Sequence, residues 1–392
     1  MKKNFREKLR EFRLQAIWSV LRFLTAPYFK LKFAYTCSKH AGKGPYLILS
    51  NHNTDWDPML LGLAFKDHIS FVASEHIFRW GFTSWLIRTV FDPIARLKGT
   101  VAVGTVRDIV NRLKKGVSVA IFAEGNRSFN GRTGEIPAST GKLVRMSGAP
   151  LVTFRFSGGY FTSPRWSRNL RKGRMRGEVV HVYQPEELKK MKAEEIQALI
   201  EKDLYVDAVE EQRTEKIAYR GQGLAEHLER VLCLCPKCGK IGTLKSEEDR
   251  LFCSCGFSVK YNEYGFFEGD ELPFDNVTDW DLQQTEKLLQ MIPSDDSCIF
   301  RDTDMVMKEV FSDHSDQEAG RGEIALYRDH LECCGQSFPI DEISGFILRG
   351  PQTINMSAGE KNFEIVSDQV RCTRKYMLLI ERLKQDKAAQ SA

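Results

Sequence analysis

Within a few residues of Gly44 the chain passes from an apolar run to a polar turn to the start of a helix, and few folds accommodate that succession. Tyr46-Leu47-Ile48-Leu49, bounded by Gly44-Pro45, reads as a short buried strand. Ser50-Asn51-His52-Asn53-Thr54-Asp55-Trp56 is polar. Asp57-Pro58 then opens the apolar stretch Met59 to Phe65, which predicts a helix with Asp57 as N-cap and Pro58 as its first residue. A histidine and two carboxylates therefore sit where a strand ends and a helix begins, the edge at which α/β sheets bind ligands.

The same succession recurs downstream. Ile69 to Ala73 reads as a strand, 76–90 as a bulky helical or interfacial segment with Trp80 and Trp85, and Asp92 to Arg96 as a short strand-like piece. Residues 103–115 read as an amphipathic helix ending in cations and Gly116, and Val117 to Phe122 as a buried strand that runs into Ala123-Glu124-Gly125-Asn126-Arg127-Ser128. A helix over 139–147, a strand over 149–156, a strand over 178–182 and charged helices over 186–230 follow. Such alternation predicts an α/β domain with a mainly parallel sheet.

The two polar turns carry chemistry. His52 and Asp57 have four residues between them. A histidine near its ordinary pKa can take a proton from a hydroxyl at neutral pH, and a carboxylate on its other nitrogen would fix the tautomer. No Gly-x-Ser-x-Gly elbow supplies a serine nucleophile, so the simplest use of the pair is to activate a hydroxyl on a bound substrate. The plainer alternative is a structural histidine beside a helix cap. In the second turn Gly125 permits close backbone approach, Arg127 offers a planar fork for a phosphate, and Asn126 and Ser128 add hydrogen bonds. Glu124 suits the orienting of Arg127 or of a backbone amide better than contact with a phosphate.

NHNTDWD after one apolar strand, FAEGNRS after another and then GAPLVTF resemble, in this order, the motifs of the PlsC-like glycerolipid acyltransferases over roughly residues 35–210. The resemblance implies His52 as general base and Asp57 as its orienter. It implies an acceptor-phosphate site at Glu124, Gly125 and Arg127, joined by Arg96, with Asn126 and Ser128 beside it, and a pocket shaped by Pro150. It also implies lysophosphatidic acid as acceptor, with glycerol 3-phosphate or another lysophospholipid as the alternative, and acyl-CoA or acyl carrier protein as donor. No catalytic metal is expected. Departures from the family's pattern are Ala123 for Pro, Asn126 for Thr, and Ala138-Ser139-Thr140-Gly141 without the Phe and Lys of the family's next piece. Asp55 has no part in the matched pattern.

Charge is divided along the chain. Residues 1–180 hold 31 Lys and Arg against 11 Asp and Glu, whereas 181–392 hold 26 against 41. The front half is suited to an anionic partner such as a membrane surface. Residues 1–36 read as a basic amphipathic segment, with Phe5, Leu9, Phe12, Ala16, Val20 and Phe23 on one stripe and Lys2, Lys3, Arg6, Lys8, Arg10 and Arg13 around its start. The six cations between Arg165 and Arg176 read as a second phosphate-seeking surface. No secretory signal is recognised and no run of eighteen uncharged apolar residues exists, so the expectation is a peripheral protein on the cytoplasmic face of a membrane.

Cys235-Pro236-Lys237-Cys238-Gly239 and Cys253-Ser254-Cys255-Gly256 are two short cysteine pairs, each followed by glycine, the pattern of a zinc ribbon. Structural Zn2+ is expected on Cys235, Cys238, Cys253 and Cys255, with iron or a metal-free thiol cluster as alternatives, while Cys233, Cys333 and Cys334 are left over. Strand-like runs at 304–311, 322–327, 331–334, 340–348 and 362–366 with a helix over 373–385 resemble a pleckstrin-homology or GRAM-like module. The domain expectation is therefore 1–36 membrane segment, 37–210 acyltransferase domain, 211–265 helical linker and ribbon, and 296–386 β-rich module. A zinc-ribbon protein binding nucleic acid or lipid is the non-enzymatic alternative. No recognition signature for nucleic acid accompanies it, so none is expected as a partner.

Overall fold

The computed structural model describes residues 5–40, 42–74, 77, 82–96, 103–270, 272–311, 313 and 315–390. The chain divides into two units, one of residues 1–164 and 170–220, the other of 165–169 and 221–392.

The first unit is built on a seven-stranded sheet: β1 (Thr36–Cys37), β2 (Leu47–Ser50), β3 (Ile69–Ser74), β4 (Ile94–Arg96), β5 (Ser118–Phe122), β6 (Leu151–Ser157) and β7 (Arg176–Tyr183), in the order β1-β7-β6-β2-β5-β3-β4. Only the β6–β7 pairing is antiparallel. The helices are α1 (Phe5–Phe33), α2 (Asp57–Gly62), α3 (Phe82–Phe91), α4 (Val103–Lys114), α5 (Ser139–Ser147), α6 (Gly159–Thr162), α7 (Pro185–Leu188), α8 (Ala193–Leu204) and α9 (Ala208–Glu215). The mainly parallel α/β sheet is as expected from the alternation of apolar runs. Both faces of the sheet are covered. Ile48, Leu60, Phe71 and Phe154 pack with Trp18, Phe29 and Phe33 of α1 on one side, and Leu47, Leu49 and Val119 pack with Ile109, Val144 and Ile196 on the other. A strand covered on both faces reads as a continuous apolar run, which is why β2 and β5 were visible in the sequence.

Helix α1 is apolar on two faces. Leu14, Trp18, Phe29 and Phe33 are buried, whereas the stripe Phe5, Leu9, Phe12, Ala16, Val20 and Phe23 faces solvent, with Phe23 79% and Leu31 80% exposed. Lys2, Lys3 and Trp80 lie outside the described residues. No described helix is long and apolar enough to cross a membrane.

The second unit holds a four-stranded antiparallel sheet, β8 (Leu244–Glu247), β9 (Arg250–Cys253), β10 (Ser258–Tyr261) and β11 (Phe267–Glu268), then α10 (Val277–Gln290). A second antiparallel sheet has seven strands, β12 (Phe300–Val310), β13 (Asp316–Leu326), β14 (His330–Cys333), β15 (Gln336–Pro339), β16 (Ile343–Arg349), β17 (Thr353–Ala358) and β18 (Lys361–Ser367), and is followed by α11 (Arg374–Gln390). Two of these strands, β15 and β17, and all of α10 were not anticipated. Both sheets fall within the second unit.

The basic run 165–176 is only partly exposed. Arg165 is buried and donates to the carbonyls of Gly350 (2.8 Å) and Leu348 (2.8 Å), and Trp166 is wholly buried among Leu228, Leu251 and Tyr261. Arg171 is buried, and Arg174 and Arg176 both pair with Glu215. Arg165, Arg174 and Arg176 are thus occupied by carbonyls and a carboxylate distant in sequence, whereas Arg168 and Lys172 are exposed.

At the end of α3, Asp92 accepts from Arg10 of α1 (2.6 Å) and from Arg112 of α4. Burial pushes its carboxyl up, but Arg112 and Arg10 outweigh this and hold it below the ordinary value. Asp92→Asn is expected to lower stability by about 1–3 kcal/mol in denaturant unfolding. A depressed carboxylate stabilises above its unfolded pKa, so the wild-type advantage should be full above about pH 4–5 and shrink as pH falls through the lower folded value.

Candidate active site

The site grows from strand register. Parallel β2 and β5 pair Leu47 with Val119 and so on to Ser50 with Phe122. Each chain then leaves the sheet at the same end, so His52 and Glu124, both two residues past the last pair, meet. The Glu124 carboxylate accepts from the His52 amide (2.6 Å) with one oxygen and from the Gly134 amide (2.6 Å) with the other. The Ser128 amide donates to the His52 carbonyl (2.9 Å). On the other flank Asn51 is buried and clamps β6, donating to the Phe156 carbonyl (2.9 Å) and accepting from the Phe156 amide (2.7 Å).

His52 Nδ1 lies 2.9 Å from Asp57 Oδ2. Asp57 is fully buried, and Oδ2 also accepts from the amides of Asn53 (2.6 Å) and Thr54 (2.9 Å) while Oδ1 accepts from the Thr54 hydroxyl (2.6 Å). A carboxylate is an acceptor, so in this contact Nδ1 carries the proton and donates. The tautomer then leaves the Nε2 lone pair outward. Nε2 has no protein partner among the described residues, and the side chain is 20% exposed. The imidazole stacks on Phe122, centroids 4.3 Å apart and planes 20° apart.

The helix differs by one residue from expectation. Asp57 is the first residue of α2 and Trp56 its cap, without a side-chain capping bond. The Asp57 carboxylate is turned back to the preceding amides and the imidazole, and Thr54 Oγ1 accepts the Trp56 amide (3.2 Å) instead.

Arg127 is fastened to the same turn. Nε donates to the Asn53 carbonyl (2.9 Å), Nη2 to the Ser163 carbonyl and hydroxyl, and Nη1 to Asp55 Oδ2 (2.9 Å). Asp55, which has no part in the motif pattern, is thus an ion-pair partner of Arg127. Gly125 adopts φ +69°, a conformation glycine takes without strain, at the turn that brings Arg127 round. Ser128 Oγ donates to the Arg132 carbonyl (2.7 Å) and accepts from Gly131 (3.0 Å), so it braces the loop. Asn126 follows on the same turn. The Arg96 backbone ends β4, and its side chain lies outside the described residues. Pro150 stands elsewhere: its carbonyl accepts Leu47 N (3.0 Å) at the opposite end of β2, about 13 Å of strand from the His52 turn.

Phe122, Thr54, Asn51 and Ser163 complete the arrangement and were not singled out from sequence. The one sequence signal for the cross-link is the equal offset of His52 and Glu124 from the ends of two apolar strands.

The second unit carries a thiol cluster. The sulfurs of Cys235, Cys238, Cys253 and Cys255 all lie within 4.8 Å of one another, with Cys235–Cys255 at 3.7 Å and Cys238–Cys253 at 3.9 Å. A tetrahedral ion with Zn–S bonds of about 2.3 Å separates its sulfurs by about 3.8 Å, so the four residues fit a metal ion. Gly239 and Gly256 both take positive φ, closing the knuckles through bonds to Cys235 O (2.9 Å) and Cys253 O (3.0 Å).

The first unit is therefore an α/β domain that presents a carboxylate-oriented histidine and a fixed arginine from the ends of parallel strands. Residues 32–157 match the acyltransferase family model. It is 24% identical over 156 residues to the chloroplastic 1-acyl-sn-glycerol-3-phosphate acyltransferase BAT2 of Brassica napus, covering 40% of this chain and 44% of that one. It is 25% identical over 158 residues to the chloroplastic 1-acyl-sn-glycerol-3-phosphate acyltransferase LPAT1 of Arabidopsis thaliana, covering 39% and 42%. The chain spans less than half the length of these curated relatives. The crystal structure of PlsC, the 1-acyl-sn-glycerophosphate acyltransferase of Thermotoga maritima, is 21% identical with a TM-score of 0.40, covering 52% of this chain and 82% of that chain.

Glu124→Gln replaces one accepting oxygen with a donor facing a backbone N–H. It is expected to cost about 1–3 kcal/mol in thermal or denaturant unfolding, with faster hydrogen exchange at the His52 or Gly134 amide.

Proposed function

We propose that this chain is a 1-acyl-sn-glycerol-3-phosphate acyltransferase, moving an acyl group from a thioester of coenzyme A or acyl carrier protein to the free hydroxyl of lysophosphatidic acid. The observation that carries the reading is the His52–Asp57 pair, with Nδ1 spent on Asp57 and Nε2 turned outward. In this mechanism Nε2 takes the hydroxyl proton as the oxygen attacks the thioester carbonyl. The tetrahedral intermediate collapses with cleavage of the C–S bond, and His52 returns the proton to the departing thiolate. Asp57 stabilises the imidazolium in between. Arg127, beside the same turn, is the group suited to the acceptor's phosphate, with Gly125, Asn126 and Ser128 shaping its loop and Arg96 as a further cation. Glu124 serves this site by holding the backbones of its two loops together.

The exposed apolar stripe of α1 supports peripheral attachment to a membrane, where the acceptor resides. Phe82 and Trp85 on α3, 76% and 58% exposed, are further exposed apolar side chains of the same unit. The exposed cations Arg13, Lys30 and Lys32 along α1 would each add about 1 kcal/mol at an anionic, cytoplasmic-type leaflet. For the four-cysteine cluster the reading is structural Zn2+, which would supply only the cross-link between two knuckles. Seven antiparallel strands followed by one C-terminal helix support the reading of residues 296–386 as a pleckstrin-homology or GRAM-like module.

Mass spectrometry of products from acyl-CoA and acyl carrier protein donors, each offered lysophosphatidic acid, glycerol 3-phosphate and other lysophospholipids, tests the activity. Phosphatidic acid formation is expected, and His52→Ala should lower the rate by about 10³-fold or more. Transfer that persists in His52→Ala, or no transfer to any acceptor, overturns the reading. Metal analysis of the purified chain should find one zinc per chain, lost on Cys238→Ser with a fall in the melting temperature.

A further inference from the structure

The acceptor-phosphate reading places Arg127 in the substrate's path, yet that arginine already holds a carboxylate. Its Nε and Nη2 donate to the Asn53 and Ser163 carbonyls, so two backbone groups on separate loops fix the guanidinium plane without help from Asp55. The Arg127 side chain is 13% exposed, while Asp55, bonded to Nη1 at 2.9 Å, is 81% exposed. The turn beneath Asp55 is independently tied down. Asp57 Oδ2 accepts the Thr54 amide, Thr54 Oγ1 accepts the Trp56 amide, and Thr54 O accepts the Asp57 amide (3.2 Å). Asp55 can therefore leave Arg127 by side-chain rotation alone, without moving the turn that carries His52.

We infer that Asp55 is a built-in competitor for the phosphomonoester at Arg127, a specificity-setting carboxylate that must swing into water before the acceptor's phosphate can bind. The inference rests on the reading of Arg127 as the phosphate site. An exposed ion pair is weak and readily exchanged, whereas a phosphate dianion brings more charge and more acceptor oxygens to the same planar donor. Two anions on one edge of a guanidinium repel each other, so carboxylate and phosphate exclude one another. The consequence is discrimination: a dianionic phosphomonoester can displace Asp55, and an uncharged headgroup cannot. Binding of the anion also leaves Asp55 exposed, where its negative charge opposes a second anion.

Calorimetric titration of the full chain with sn-glycerol 3-phosphate near pH 8, with glycerol as the phosphate-free control, tests this. Asp55→Asn, an exposed and near-isosteric change, should tighten glycerol 3-phosphate about three- to tenfold and leave glycerol unaffected. Asp55→Glu, which keeps the carboxylate, should stay near wild type. Arg127→Lys, checked for folding by circular dichroism, should weaken the phosphomonoester. In turnover the Asp55→Asn effect should fall on KM for the phosphorylated acceptor rather than on kcat. If Asp55→Asn binds no tighter while Arg127→Lys binds more weakly, the competitor role is wrong and the phosphate reading of Arg127 stands. If Arg127→Lys is folded and binds as wild type does, the phosphate reading falls and the competitor role with it.

Discussion

The parallel pairing of β2 with β5 is the constraint on which the site depends. Neighbouring parallel strands leave a sheet from the same end, so their following loops are forced together. In this chain the last pair is Ser50 with Phe122, and the next two residues on each strand bring the His52 amide onto the Glu124 carboxylate. The Phe122 side chain, at the last paired position, becomes the face on which the imidazole stacks. On the opposite edge of β2, Asn51 makes the double bond to Phe156 of β6. The His52 turn is thus held from three strands before any of its own side-chain interactions are counted. A one-residue slip between β2 and β5 would part Glu124 from the His52 amide and remove the stacking partner together.

Two carboxylates of that turn show how environment divides their work. Asp57 is buried beneath four donors, and that density of hydrogen bonds offsets the cost of burying its charge. It is committed to orienting one imidazole tautomer. Asp55, two residues earlier, faces water and pairs with Arg127. An exposed pair of this kind contributes little stability, so Asp55 is free to exchange where Asp57 is not. Their places in the turn separate them: Thr54 and Asp57 are buried, while Asp55 and Trp56 between them are exposed.

How much of this was legible depended on whether the determining interaction was local. In the first unit the alternation of strands and helices from β2 to β6, the α5 helix and the placement of both polar turns at strand ends followed from periodicity and turn residues. The tautomer of His52 did not, because it required knowing that two amides and a hydroxyl also reach Asp57. Helix α1 carried two apolar faces, and hydrophobicity alone does not say which one packs. Trp18, Phe29 and Phe33 were the ones that found complementary shape in Leu60, Leu61 and Phe65. Arg165, Arg174 and Arg176 looked unpaired because Glu215 and the carbonyls of Leu348 and Gly350 lie far along the chain. Helix α10 was hidden for a further reason: its buried face includes Asp281 and Gln284 beside Val277, Trp280 and Leu288, so its pattern does not separate apolar from polar.

Those buried polar residues of α10 explain why the cysteine knuckles and the second sheet belong to one unit. Gln284 accepts the amides of Cys233 (2.9 Å) and Leu234 (3.3 Å) and donates to Val231 O (2.7 Å), and Trp280 donates to Leu234 O (3.1 Å). The segment entering the first knuckle is therefore fixed by α10 rather than by the cysteines. Asp281 carries the connection onward, accepting from Gln284 (2.8 Å) and pairing with Arg374 at the start of α11. Removing one member of such a network would strand a buried charge, which makes the arrangement cooperative. The four thiols then have a narrower role, joining the knuckle already held by α10 to the one that closes β9. A metal ion held there would fasten only the two knuckles, while Trp280, Gln284 and Asp281 of α10 are buried independently of it.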